Sequence, residues 1–323
     1  MNTPNRETRF SKKKRSKLRI VLYTLLTVFI LFMGTAAYAY WNYKTALKSA
    51  STGTNTVSEP VEFNGVENNF GKINVLLLGI DSRGEKNSRT DTIMVAQYDQ
   101  DTKKSKLVSI MRDSYVDIPG YDEKNRVNAA YSYGGPELLR KTLKENFDID
   151  VQYYALIDFK GFAKVIDEVF PEGVQIDVEK KMSHGLGLTL QPGKQMLHGK
   201  ELLGYVRFRY DAISDFGRIQ RQQKVLQILS DKITSAAGIM KIPSMIGTVQ
   251  PYIETNLPKS LLFSVATSFL GDKERNFETL RIPENNGFTN EKISINGELS
   301  DVLVLSPENL QKNTVALDRF LNN

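Results

Sequence analysis

Ile73–Ile80, INVLLLGI, is followed at once by Asp81-Ser82-Arg83. An apolar run of this length between polar residues reads as a buried strand. Arg89-Thr90-Asp91 opens a second run, TIMVAQY (Thr92–Tyr98), and Asp99–Lys104 has turn chemistry. KLVSIM (Lys106–Met111) comes next and closes on Arg112-Asp113. Short polar connections favour an antiparallel meander of these three strands. The end of the first strand, the start of the second and the end of the third then share one edge. That edge gathers Asp81, Arg83, Arg89, Asp91, Arg112 and Asp113. Arginines beside carboxylates at strand ends suit a metal-bound phosphate. The alternative is a set of surface ion pairs, each contributing about 0–1 kcal/mol.

Outward from this core, strands and helices alternate with short breaks and no internal repeat. PELLRKTLKENF (Pro136–Phe147) reads as a helix with proline at its start. VQYYALI (Val151–Ile157) reads as a strand, FKGFAKVIDEVF (Phe159–Phe170) as a helix and GVQIDVE (Gly173–Glu179) as a strand. The order predicts an α/β domain, a central mixed sheet flanked by helices. Further on, amphipathic stretches fall at Pro243–Ile253, Pro258–Phe269 and Pro307–Leu321, with strand-like pieces near Phe277–Ile282 and Ile293–Ile295.

A second cationic group lies in YVRFRYDAISDFGRIQRQQ. In an extended segment Arg207 and Arg209 point the same way and Phe208 the other. A helix is expected from near Asp215, its cap, to about Thr234. Arg218, Gln222, Val225 and Leu229 share one face, with Arg221 adjacent. A cation on such a stripe needs an anion, either a ligand or an internal Asp or Glu.

Composition narrows the chemistry. The 323 residues carry 43 Lys or Arg against 37 Asp or Glu. Eight of the basic residues and one acid fall in residues 1–19, so the rest of the chain is near neutral. No nucleic-acid footprint covers the domain. There is no cysteine, which excludes disulfides, thiolate metal sites and cysteine nucleophiles; only His184 and His198 supply imidazole.

Ile20–Trp41 has no charged residue, and 22 helical residues reach about 33 Å, enough for a hydrocarbon core. With the basic arm before it and Tyr38, Tyr40, Trp41 and Tyr43 behind it, this reads as a single transmembrane signal-anchor. The apolar core is long for a cleaved signal peptide, although Ala37-Tyr38-Ala39 has the small-x-small form. The expected division is a cytoplasmic arm at 1–19, the span at 20–41, a tether at 42–70 and an extracellular domain at 71–323.

Taken in order, LLLGIDSR, RTDTIMV, SIMRDSYVDIPG, RVNAAYSYGG, YYALIDFKGF, YVRFR and DFGRIQRQQ resemble the LytR–CpsA–Psr family of Gram-positive wall proteins. The whole-chain character is closest to its MsrR-like branch, described as attenuators or regulators. The resemblance implies a phosphotransferase at the outer membrane face. It would take an anionic glycopolymer, such as wall teichoic acid, from an undecaprenyl-pyrophosphate carrier and attach it to peptidoglycan. By the same resemblance, Asp81 and Asp91 hold Mg2+, and Arg89, Arg112, Arg207, Arg209, Arg218 and Gln222 grip the pyrophosphate, with Arg83 and Arg221 near them. Asp113 and a metal-bound carboxylate are the two candidate bases. Met111 stands where the family usually has proline, and Glu172-Gly173-Val174 where it has Gly-Gly-Val. Rival readings are a non-enzymatic membrane-anchored regulator, a lipid pyrophosphate hydrolase and a tethered transcription factor. The arm has no recognition helix, which disfavours the last.

Overall fold

The computed structural model describes residues 7–51, 61–66, 71–81, 90–211, 214–233, 235, 238, 241–261 and 277–322, with side chains of the first helix at 27–31 and 33–50. The expected meander is present: β1 (Lys72–Ile80), β2 (Thr90–Asp99) and β3 (Ser105–Ile110) pair antiparallel in succession. β6 (Tyr153–Asp158) joins β1 in parallel, β9 (Ile253–Thr255) joins β6 antiparallel, and β10 (Glu278–Ile282) joins β3 in parallel. The result is a six-stranded mixed sheet in the order β10-β3-β2-β1-β6-β9.

The register assigns the two faces. Leu76 lies opposite Val95 and Val95 opposite Val108, and these three pack with Leu139, Leu143, Leu317 and Leu321. Those leucines belong to helix α2 (Val127–Phe147) and to the last helix, α7 (Pro307–Asn322). The intervening positions Thr92 and Ser109 face the other way, where Gln222 and Gln223 of α5 (Ser214–Ile233) bond them at 3.0 Å each. The sheet is therefore covered on both faces, which is why its strands read as nearly continuous apolar runs.

Several expectations need correction. Helix α2 starts at Val127, ahead of Pro136; Gly134 and Gly135 leave helical geometry, and the proline restarts the helix after that break. Gly173–Glu179 does form a strand, β7 (Val174–Val178), but outside the central sheet, paired with β8 (Gly193–Leu197). Pro243–Ile253 divides into α6 (Ile242–Val249), a 3-10 turn (Gln250–Tyr252) and β9. A second sheet unites β4 (Ser114–Val116) and β5 (Asn125–Arg126) with the hairpin of β11 (Thr289–Ile295) and β12 (Glu298–Val304). Of Pro258–Phe269, residues 262–269 lie outside the described residues.

The expected tether begins as helix, because α1 runs from Glu7 to Ser51. Tyr43 and Ala50 are buried, and Gly247 of α6 admits the α1 backbone: a Cβ there would sit 2.4 Å from the Tyr43 carbonyl oxygen. Among the described residues no helix is long and apolar enough to cross a membrane. The expected span at Ile20–Trp41 begins ahead of the first described side chains.

Residues 61–66 bond Tyr154 and Val151 through the Val61 and Val66 amides, at 3.2 Å and 3.1 Å, and reach α2 through Asn64. Burial alone would raise the Glu137 carboxyl, but Arg140, the Asn64 amide and Lys141 outweigh it and hold it down to about 2. Arg140 reaches it at 2.7 Å and the Asn64 amide at 2.9 Å. A carboxylate depressed in the folded state stabilises above its unfolded value and loses that contribution as pH falls toward 2. Glu137→Gln should cost about 1–2 kcal/mol at pH 7, after discounting for solvent screening. Denaturant unfolding of both proteins between pH 7 and pH 2 checks this. The difference should shrink below pH 4.5, and a constant difference would rule the linkage out.

Candidate active site

The register of β1 on β2 shifts between Gly79 and Ile80, so that Ile80 pairs with Thr90. Such a bulge bends the strand and re-aims the residues just beyond it. Here it sits at the mouth of the hairpin, next to Asp81 and Asp91. Arg207 donates to Asp81 at 3.1 Å while its guanidinium lies 4.5 Å from the centre of the Phe159 ring. Arg112 is tied to Asp91 by a close hydrogen bond. Its Nε reaches Asp113 at 3.3 Å, and its Nη2 lies 3.6 Å from Asp215. Arg126 approaches Asp113 at 3.8 Å, and Arg218 Nη1 lies 3.0 Å from Asp215 Oδ1.

Beside these groups lies a cavity of about 160 Å³, with Asp91, Arg207, Arg209, Arg218 and Gln222 in its wall. Arg218 is 4% exposed. Its Nε has no hydrogen-bond partner, and its contact with Asp215 Oδ1 is close but not aligned as a hydrogen bond. Burial, with Arg112 beside it, lowers the Arg218 guanidinium to about 10. Burial raises Asp113 against the pull of Arg112, with the neighbouring Asp215 adding to the rise. Asp215 is also buried, yet Arg218 and Arg112 outweigh burial and keep its carboxyl low. A guanidinium with an unpartnered Nε in a cationic wall has the chemistry to take an oxyanion, since arginine forks match phosphate oxygens.

The sequence model of the LytR_cpsA_psr family matches residues 36–316. The chain belongs to this family. It is 45% identical over 261 residues to the regulatory protein MsrR of Staphylococcus aureus strain COL, covering 81% of this chain and 78% of that one. It is 28% identical over 272 residues to the polyisoprenyl-teichoic acid–peptidoglycan teichoic acid transferase TagU of Bacillus cereus, covering 83% and 88%. A solved structure of TagT bound to LI-WTA superposes with a TM-score of 0.61 at 28% identity, covering 83% of this chain and 98% of that one.

Within this family member, the expected site residues fall into three groups. Asp91, Arg207, Arg209, Arg218 and Gln222 meet at the cavity, and Asp81 joins them through Arg207. Arg112 and Asp113 form the layer behind, where Arg112 is held by three carboxylates. Arg221 turns the other way: it donates to Asp211 at 2.9 Å and, closely, to the Phe208 carbonyl. Arg83 and Arg89 lie outside the described residues. Arg207 ends a helix, α4 (Gly199–Arg207), rather than lying in an extended segment, and Phe208 shares the cavity wall with both arginines. Asp215, expected only as a cap, is a shared partner of Arg112 and Arg218. Its position three residues before Arg218 is the signal the sequence offers for this. Arg126, Phe159, His184 and Tyr210 carry no such signal.

The donor set at the hairpin mouth suits magnesium, which accepts one or two carboxylates and completes its shell with water and phosphate. Among the described residues no group of three or more acidic or histidine side chains could hold an ion by itself. Asp81 and Asp91 are the two carboxylates at the hairpin mouth, and each is engaged by an arginine, Arg207 and Arg112 respectively.

Proposed function

We propose that this protein is a phosphotransferase that moves an anionic glycopolymer, such as wall teichoic acid, from an undecaprenyl-pyrophosphate carrier to peptidoglycan. The observation that carries the reading is Arg218, buried with an unpartnered Nε in a cavity walled by Arg207, Arg209 and Gln222. The name of TagU, a family relative, supports the class of reaction.

In this reading the resting ion pairs exchange partners. Arg207 leaves Asp81 for a phosphate oxygen, while Arg209 and Arg218 bind the rest of the pyrophosphate. Asp81 and Asp91 would hold Mg2+, which would supply positive charge for the phosphates. Phosphoryl transfer needs mainly positioning and charge neutralisation. Arg112, fixed by Asp113 and Asp215, orients Asp91 from behind. α1 anchors the domain on the outer face of the membrane with the basic arm inside. Its exposed Phe29, Ile30 and Leu31 suit a lipid surface.

The full chain in detergent, incubated with a lipid-pyrophosphate glycan, peptidoglycan oligomers and magnesium, should yield a covalent conjugate by mass spectrometry. Asp91→Ala or chelation of magnesium should abolish it. Free phosphorylated glycan without conjugate would instead make the protein a hydrolase. The regulatory name of MsrR favours a second reading, a regulator that binds the polymer without turnover. Binding with neither product would establish it.

A further inference from the structure

Tyr210 lies in the same cavity wall as Arg207, Arg209 and Arg218, yet it is 59% exposed. Its ring is held in place on one side. His184 meets it edge-on, with ring centroids 4.0 Å apart at 67°, and the Phe208 ring lies 6.3 Å away. Gly185, at φ +73°, makes room: a Cβ there would come within 2.9 Å of Tyr210 Cε2. From behind, Arg221 bonds the Phe208 carbonyl and Asp211, the two residues flanking Arg209-Tyr210. The ring is therefore positioned by His184 and Gly185, and its backbone segment by Arg221, while much of the ring remains in water.

An ordered, exposed aromatic ring beside a cationic cavity suits a ligand with an apolar face next to its phosphate. Two parts of a lipid-linked glycan flank the pyrophosphate, the lipid and the first sugar. A lipid chain needs a continuous apolar groove. The surroundings of Tyr210 are mixed instead: Phe208 and Leu186 share the wall with His184, Gly185 and Arg209, and an Asp211–Lys180 pair at 3.7 Å lies beside it. A pyranose fits such a setting, since its C–H face packs on an aromatic ring while its hydroxyls stay hydrated.

We propose that Tyr210, backed by His184 and Gly185, is the platform on which the sugar directly bonded to the pyrophosphate stacks. The donor is then recognised by its first pyranose as well as by its phosphates. This rests on the reading of the cavity as a pyrophosphate site. It makes Tyr210 a specificity contact, His184 and Gly185 positioning residues, and Arg221 their support.

The test compares two probes on the full chain in detergent: geranylgeranyl pyrophosphate and the same lipid pyrophosphate esterified to N-acetylglucosamine. Wild type should bind the glycosylated probe more tightly. Tyr210→Ala should reduce that preference by about fivefold, the size of one aromatic contact. Tyr210→Phe should keep it within about twofold. Gly185→Ala, which displaces the ring, should resemble Tyr210→Ala. Equal weakening of both probes by Tyr210→Ala, or an effect confined to the KM for peptidoglycan oligomers, would overturn the platform alone. Failure of wild type to bind geranylgeranyl pyrophosphate at all would overturn the pyrophosphate reading beneath it. Tyr210 is exposed, so its two variants should keep the wild-type melting temperature, whereas Gly185→Ala, at φ +73°, should melt lower.

Discussion

Arg218→Gln is expected to weaken binding of a polyprenyl pyrophosphate roughly 10- to 100-fold while leaving the free protein as stable as wild type, or more so. The two halves of this result share one cause. In the free protein the guanidinium is buried beside Arg112, and burial with that like charge holds it down to about 10. A cation depressed in this way destabilises the folded state at neutral pH, and the effect is relieved only as pH rises past about 10. Glutamine removes it. Asp215 is not orphaned by the change, because Arg112 Nη2 remains 3.6 Å away. In the complex, by contrast, the lost charge-assisted contact is worth about 1.5–3 kcal/mol, and each 1.4 kcal/mol is about tenfold in affinity. Where charge builds up during transfer the loss in kcat should be about 10²–10³-fold. Titration calorimetry and thermal melts on the same samples read both halves. Unchanged affinity with a large fall in melting temperature would make Arg218 a structural residue.

How much of this is legible in the sequence depends on the range of the forces involved. The β1–β3 meander is legible because apolar runs and polar turns are local signals, and Asp81, Asp91 and Arg112 sit at its ends. β4, β5 and β9 span three, two and three residues, too short to show a period. Their pairing is decided by neighbours distant in sequence. The continuation of α1 to Ser51 is hidden for a related reason: its docking surface is α6, some 200 residues later, and packing rather than propensity stabilises the last turns. Arg207 reads as extended because GYVRFR alternates like a strand. α4 nonetheless begins at Gly199, where the Glu201 carboxylate accepts the His198 amide at 2.9 Å. A helical stripe cannot say which of Arg218 and Arg221 faces a ligand, since both lie near the same face. The choice rests on Asp211, placed by a loop.

Arg221→Gln should therefore behave in the opposite way to its neighbour three residues earlier. The Asp211 side chain is 1% exposed, and Arg221 Nη1 at 2.9 Å is its close cationic partner, with Lys180 at 3.7 Å. Removing one member of a buried ion pair leaves an uncompensated charge and costs about 3–5 kcal/mol. At roughly 2–4 °C per kcal/mol for a domain of this size, the melting temperature should fall by about 10 °C. The Phe208 carbonyl also loses its donor, so the segment bearing Arg209 and Tyr210 loosens and activity should fall with stability. Pairing the substitution with Asp211→Asn tests the cause, because the double variant carries no stranded carboxylate. It should recover most of the lost stability, giving a coupling energy well above the few tenths of a kcal/mol expected of independent sites. If Arg221→Gln melted like wild type and lost pyrophosphate affinity, Arg221 would belong with the ligand contacts. Its two bonds run to the loop instead, and a guanidinium engaged there is not free to face the cavity.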